Sequence, residues 1–256
     1  MATLDTARLA EGLREQTAGF ARAAAGVDPD TQVPTCPEWP LRTLVGHIGQ
    51  AHRYATEVLR KGEPQPVPDP WQAAPGAPDK WAEWLRDGAD ELIGAVQEVG
   101  ADTEVWTFLG PRPAAFWLRR MLNDTAVHHY DAAVTTGGGF EIADDLAANV
   151  IVEGLEMLAS PGAEALKPEL VQLRGNGERL GLRPHRADGP ADGWVIVRTP
   201  EGMRWEEGPV EGDVVLSGAV AYVMLVCNRR LALDNDRVTV TGDRALLEHW
   251  LAHMAI

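Results

Sequence analysis

The stretch Arg119-Arg120-Met121-Leu122-Asn123-Asp124-Thr125-Ala126-Val127-His128-His129-Tyr130-Asp131 reads as the interior of a helix. It begins near Phe116, runs to about Thr135 and is stopped by Gly137-Gly138-Gly139, because glycine takes the left-handed turn past a last helical residue at little cost. Asp124 and His128 are four apart, so they lie one above the other on the same face. A carboxylate oxygen and an imidazole nitrogen placed that way can hold one divalent cation. Far upstream, Val45-Gly46-His47-Ile48 sets a lone histidine in another apolar helical stretch. His47, Asp124 and His128 together would supply three ligands and leave a coordination position open, which suits catalytic rather than structural metal chemistry. Spacing alone leaves the plainer readings standing: a hydrogen-bonded core histidine for His47 and a solvated pair for the other two.

Working outward, the first part of the chain is helical. Leu4 to Ala25 carries Leu9, Leu13 and Phe20 at helical spacing. Pro40 is placed to open a second helix to about Arg60, with Leu41, Leu44, Val45, Ile48, Ala51 and Tyr54 on its apolar side. The Pro-rich stretch 62–78 can hold neither helix nor central strand and predicts a long loop. Asp79 is a plausible N-cap for a third helix to about Val99, and a fifth runs from about Ala143 to Leu158. Helices joined by loops predict an antiparallel bundle of the four-helix type over residues 1–160. Beyond Pro161, Val171-Gln172-Leu173-Arg174 and Arg179-Leu180-Gly181-Leu182 alternate like short strands. Trp194 to Arg198 and Met203 to Trp205 read as a hairpin. Val214 to Leu216 and Val238 to Val240 are further strands, Ala219 to Leu231 is a buried helix and Arg244 to Met254 a closing one. Residues 161–256 are therefore expected to form a small α+β domain, and the whole chain an α+β protein.

Composition removes several function classes. The 256 residues carry a net charge of −15, which would repel both the phosphates of a nucleic acid and an anionic membrane surface. The longest strongly apolar run, Ala219 to Cys227, is far short of a membrane span. The start, Met1-Ala2-Thr3-Leu4-Asp5, lacks the basic and apolar regions of a signal peptide. Two cysteines, Cys36 and Cys227, make no disulfide framework, so a reducing cytoplasm is the expected location. A monomer or small homo-oligomer is expected.

Thr35-Cys36-Pro37-Glu38-Trp39-Pro40-Leu41-Arg42-Thr43-Leu44-Val45-Gly46-His47-Ile48 resembles the "CPxWxxxxLxxHL" opening of the mycothiol-dependent maleylpyruvate isomerase family, relatives of the DinB-like metal-binding helical bundles. Asp124-Thr125-Ala126-Val127-His128-His129-Tyr130-Asp131-Ala132 is similar to that family's "E-T-A-V-H-R-W-D-A" helix. Leu216-Ser217-Gly218, Cys227-Asn228-Arg229-Arg230 and Val240-Thr241-Gly242-Asp243 resemble its C-terminal domain of sterol-carrier-like fold. The resemblance implies a divalent metal, most often zinc (Zn2+), on His47, Asp124 and His128, and the low-molecular-weight thiol mycothiol as cosubstrate. A cation beside sulfur stabilises the thiolate, which is the nucleophile. It also implies a catalytic arginine from the C-terminal domain, for which Arg229 is the best match, its planar fork suiting a carboxylate or enolate. Asp124 stands where the family usually has Glu, one methylene longer, and His129-Tyr130 replace a commoner Arg-Trp pair.

The expected function is thus a metal-dependent enzyme that uses a thiol to isomerise, or transfers a thiol onto, an electrophilic small organic acid. A thiol-independent zinc hydrolase or lyase on the same scaffold, and a non-enzymatic DinB-like ligand-binding protein, are the alternatives. Other residues have weaker claims. His129 sits about 100° around the helix from His128 and reads as surface or pocket lining. Asp131 could orient a ligand from one turn away or make a plain helix-end contact. His249 and His253 form a separate pair without a nearby carboxylate. Cys36, between prolines and a Trp and without an adjacent base, reads as packing at a helix entry. Trp39, Trp71 or Trp106 could line a pocket, and Arg229 could instead cap its own helix.

Overall fold

The computed structural model describes residues 4–186, 189–190 and 192–254, and the chain forms two compact units, residues 4–142 and residues 143 onward. The first unit consists of α1 (Thr6–Ala23), a short hairpin of β1 (Gln32–Val33) and β2 (Cys36–Pro40), α2 (Leu41–Lys61), α3 (Trp81–Val99), a second hairpin of β3 (Glu104–Val105) and β4 (Arg112–Pro113), and α4 (Ala115–Thr136). Asp5 caps α1 by accepting from Arg8 N, and Gly62 and Gly137 end α2 and α4 in the left-handed conformation, as their sequence positions predict.

The four helices form a square in which α1 neighbours α3 and α4, and α2 neighbours the same two. Arg14 pairs with Asp90 across α1 and α3 while Phe20 and Ala23, later in α1, cluster with Trp81 and Leu85, earlier in α3, and His47 and Tyr54 of α2 meet Asp124 and Trp117 of α4, so both these contacts are antiparallel. The α2–α3 pair runs in one direction instead. Gly49 lies against Trp84, Gly88 against Arg53, and Arg60 against Glu98. A same-direction pair needs a connection that returns along the bundle, which is what the Pro-rich segment 62–80 supplies. Its only regular structure is two 3-10 turns, Pro70–Gln72 and Pro78–Lys80. The second of these displaces the expected cap: α3 begins at Trp81 and Asp79 lies inside the turn rather than at the N-cap.

The apolar faces read from the sequence meet in one core. Phe20, Leu41, Leu44, Val45, Ile48 and Leu85 are each fully buried together with Ala132 and Ala133. The α2–α3 approach is set by Gly49, where an added Cβ would stand 2.0 Å from the Trp84 ring. Arg53 seals this contact: its Cζ lies 4.5 Å from the Trp84 ring centroid, and it donates to the Trp84 and Gly49 carbonyls at 3.0 Å each.

The second unit contains α5 (Asp144–Leu158), the single turn α6 (Ala163–Leu166), β5 (Arg179–Arg186), β6 (Gly189–Pro190), β7 (Gly193–Thr199), β8 (Gly202–Gly208), β9 (Val214–Ala219), α7 (Val220–Cys227), β10 (Val238–Gly242) and α8 (Arg244–His253). Its sheet has the order β10-β9-β5-β7-β8, with β6 paired to the end of β5. Among the described residues only β5 and β9 pair in parallel, with Leu182 opposite Leu216. The predicted hairpin is β7–β8, turning between Thr199 and Gly202. The fold is therefore α+β as expected, a helical unit followed by one built on a sheet.

Three expectations move. The units divide after residue 142, not after 160, because α5 packs on α7 and belongs with the sheet. Val171 to Arg174 is no strand. Pro168 opens a 3-10 helix, Pro168–Leu173, that buries Leu170 and Leu173 three apart. The buried helix α7 stops at Cys227, four residues before Leu231. Among the described residues no helix is long and apolar enough to cross a membrane.

Gly49→Ala should lower stability by about 1–3 kcal/mol through overpacking on Trp84. Gly94→Ala in α3, where a Cβ meets nothing within 4 Å, should raise it by about 0.5–1 kcal/mol. Chemical denaturation of both variants checks the pair, and equal effects would remove the close contact as the cause.

Candidate metal centre

The site grows from the way α2 and α4 are held together. The first hairpin delivers β2 straight into α2, and Leu41 N and Arg42 N donate to the Thr31 and Pro29 carbonyls at 2.9 and 3.0 Å. This fixes Cys36 and Trp39 over the start of the helix. His47, two turns into α2, then faces the middle of antiparallel α4. His47 Nε2 lies 3.4 Å from Asp124 Oδ2. The His47 and His128 rings meet edge to face at 5.2 Å between centroids, and the Trp39 ring stands 5.1 Å from His47 and 6.2 Å from His128. The ligand atoms of His47, Asp124 and His128 all fall within 4.8 Å of one another. Zinc bonds of about 2.0–2.1 Å imply ligand-to-ligand separations of about 3.3 Å in a tetrahedron, so two nitrogens and one oxygen at this spacing fit such an ion. The shorter Asp124 still reaches its partner.

Two of the three candidate ligands, His128 and Asp124, are oriented from behind. His128 Nδ1 donates to Asp131 Oδ2 at 2.7 Å, and Asp131 is fully buried. Nε2 is then the nitrogen left to present a lone pair, the arrangement that fixes a ligating imidazole and raises its basicity. Cys36 Sγ donates to the same Asp131 oxygen at 3.7 Å. Arg120 Nη2 donates to Asp124 Oδ1 at 2.8 Å, leaving Oδ2 toward His47. Burial alone would push the Asp124 carboxyl up, but the Arg120 charge, the His47 hydrogen bond and the neighbouring His128 outweigh it and hold it well below the usual carboxylate range. Asp124 is thus held as the anion at neutral pH.

Cys36, His128 and Asp131 form a second close trio, but 2.7 Å between His128 and Asp131 is a hydrogen bond rather than the spacing of two ligands on one ion. It is a chain of contacts supporting His128. Cys36 therefore does more than pack at the helix entry. Reading the sequence locally missed this, because its partner lies 95 residues away.

Other histidines are structural. His129 is buried rather than at the surface: it pairs through Nδ1 with Gln16 Oε1 at 2.9 Å and packs on Phe140 at 5.0 Å, and burial with the nearby Arg22 charge lowers its pKa to about 4. His52, fully buried, shares a 2.8 Å hydrogen bond with Thr125 Oγ1, and burial lowers its pKa to about 4. His249 Nε2 and His253 Nδ1 are held by the backbone carbonyls of Gln172 and His249 at 2.9 and 2.8 Å. Trp71 is largely exposed, and burial pushes the Cys227 thiol up to about 12, which leaves it inert.

Arg229 lies in the second unit. It follows the C-cap Asn228 of α7 and is the only non-glycine with positive φ among the described residues, at 58°. Arg229 N and Arg230 N donate to the Val226 and Leu225 carbonyls at 2.8 and 2.7 Å, the pairing of a Schellman motif, whose left-handed position normally holds glycine. The backbone caps the helix, while the Arg229 side chain is exposed and is not needed for that cap.

Residues 10–133 match the family described as the mycothiol maleylpyruvate isomerase N-terminal domain. Two solved structures of mycothiol-dependent maleylpyruvate isomerase, one of them a His-to-Ala mutant, resemble the whole chain with a TM-score of 0.62 each. They are 18% and 17% identical to it, and each alignment covers 94% of this chain and 96% of that one. At this identity the likeness is one of fold. No curated protein matches the sequence closely enough to count as a relative.

His52 makes stability depend on pH. Its folded pKa of about 4 lies below the unfolded value of 6.5, so the unfolded chain binds the extra proton, and stability present above pH 6.5 is lost as pH falls toward 4. The loss is on the order of 3 kcal/mol. Unfolding free energies measured from pH 7 to 4 should fall with a slope that His52→Gln makes shallower; an unchanged slope excludes His52 as a source.

Proposed function

We propose that the protein is a metal-dependent enzyme that uses a small thiol, mycothiol in the first instance, to isomerise or become joined to an electrophilic organic acid. One observation carries the reading: His47, Asp124 and His128 converge from two antiparallel helices at the spacing of a three-ligand site. The domain family and the fold of the solved isomerases support it.

His47, Asp124 and His128 would hold the ion, with Asp131 and Arg120 fixing the donor atoms. A divalent cation there would supply positive charge that favours a bound thiol as thiolate at neutral pH. The chain's own contribution is placement. Trp39 shields the His47 and His128 rings, and Asp131 keeps the His128 proton on Nδ1. In the proposed reaction the thiolate sulfur adds to a double bond conjugated to the acid's carbonyl, and the electron pair moves onto the carbonyl oxygen. Rotation about the new single bond and return of that pair expel the thiolate and leave the other geometric isomer. If instead the adduct takes a proton at carbon, the product is a thioether. Arg229 is proposed to hold the carboxylate or the enolate oxygen. Its left-handed backbone motivates this reading: glycine would adopt φ 58° with about 1 kcal/mol less strain, and backbone strain of this kind gathers at functional positions.

Protein purified without chelators or an affinity tag should contain close to one zinc-like ion per chain, and His47→Ala or Asp124→Ala should bring this below about 0.2 equivalents. Metal retained by both variants would end the assignment. Asp131→Asn should weaken metal binding by about 10–100-fold without unfolding the protein.

Arg229→Gly separates the two roles of that position. It should raise stability by about 0.5–1 kcal/mol while lowering turnover strongly and leaving metal content unchanged. Undiminished turnover would remove Arg229 from the reaction.

A further inference from the structure

The candidate metal centre lies at one end of a strip of half-buried side chains between α2 and α4. On α2 the half-buried positions include His47, Ala51 and Tyr54, and on α4 they include Asp124, Arg120 and Phe116. These spacings of three, four and seven or eight residues keep each row on one side of its helix. Arg120 is one turn and Phe116 two turns from Asp124, roughly 6 and 12 Å along the axis. The far end is aromatic. Tyr54 meets the buried Trp117 edge to face at 5.7 Å, Phe116 meets Trp117 at 5.5 Å, and Phe108 meets Phe116 at 5.5 Å. Trp106 stacks on Trp117 at 6.2 Å and accepts its indole proton at 3.0 Å. Phe108 is placed firmly, because the loop between β3 and β4 folds around buried Thr107, whose Oγ1 accepts from Leu109 N at 3.2 Å and whose carbonyl accepts from Gly110 N at 3.0 Å.

One end of the strip carries the Arg120 guanidinium beside the candidate metal ligands and the other end is apolar, an arrangement that matches the shape of an amphipathic acid. We infer that this strip holds the body of the substrate and selects unsaturated carboxylic acids with an aromatic or other large apolar substituent over small dicarboxylates. The inference rests on the reaction class proposed above and names its substrate class. Arg120 and the metal end take the carboxylate and the adjoining electrophilic carbons. Tyr54, Phe108 and Phe116 take the substituent, with ring faces and edges in the offset arrangements that aromatic groups favour. A small dicarboxylate would leave these half-buried rings uncovered and bring a second charge toward them, which costs desolvation without a partner.

The test is a calorimetric titration of the full chain, supplied with one equivalent of zinc, against cinnamate and against acrylate, which lacks the phenyl ring. Cinnamate should bind at least about tenfold more tightly, as expected for burying one ring against aromatic neighbours. Phe116→Ala and, separately, Phe108→Ala should remove most of that advantage while leaving acrylate binding unchanged, and Arg120→Gln should weaken both ligands. Equal affinity for the two acids overturns the inference, and so does a cinnamate advantage that survives both Phe variants. Melting curves identify a variant that fails to fold, in which case Phe116→Leu takes its place with the same expectation in smaller measure. Binding is read without thiol and turnover separately. A protein that prefers cinnamate but never adds a thiol keeps this inference and loses the proposed reaction. One that converts small acids without any preference loses this inference alone.

Discussion

Everything in the helical unit that bears on function depends on the antiparallel contact of α2 with α4. It brings a histidine from one helix against a carboxylate and a histidine from the other, and it continues as the His52–Thr125 hydrogen bond and the Tyr54–Trp117 pair. A seam that mixes polar and aromatic partners holds register better than an apolar one, because sliding by a residue would strand buried polar groups as well as change packing. The chain alone also fixes several charge states around it. Asp124 is kept ionised, while His52 and His129 are kept neutral by burial.

Support for the site reaches outward in layers with different tolerances. Asp131 is fully buried and collects donors from His128 and Cys36, so its loss would leave a histidine free to turn. Arg120, partly exposed, holds one oxygen of Asp124. The crossing segment 62–80 lies on α2 beside the site, where an added Cβ on Gly46 would stand 2.4 Å from the Ala73 Cβ. A side chain at position 46 would therefore move the loop next to His47 rather than the helix itself.

Much of this was legible in the sequence, and the pattern of success follows the range of each interaction. Helix α4, its glycine stop and the shared face of Asp124 and His128 are local facts, readable from spacing. His47 could be joined to them only through the resemblance, since nothing in its own segment names α4 as its neighbour. The Cys36–Asp131 contact was not readable because it depends on where a two-stranded hairpin deposits its second strand. The same reasoning explains α5, whose periodicity announces an apolar face without saying which unit covers it, and α7 does. Angular distance from His128 does not set the exposure of His129, because α1 packs on that side of α4 and Gln16 receives it. Val171 to Arg174 alternates over too few residues to separate a strand from a Pro-initiated turn.

The order of the helices also bears on how the chain is made. The principal partners of α1 are α4, over ninety residues later, and α3; its nearest neighbour in sequence, α2, stands diagonally across the square. As the chain emerges from the ribosome, Leu13, Phe20 and the rest of that apolar face remain without α4 until residue 136 is out. At common synthesis rates that is roughly 5–20 s. Through that interval the nascent first helix has no native surface from α4 to dock on, which makes it a natural client for chaperones that hold exposed apolar helices. It also makes the emergence of α4, which carries Asp124 and His128, the event that completes the bundle and the site together.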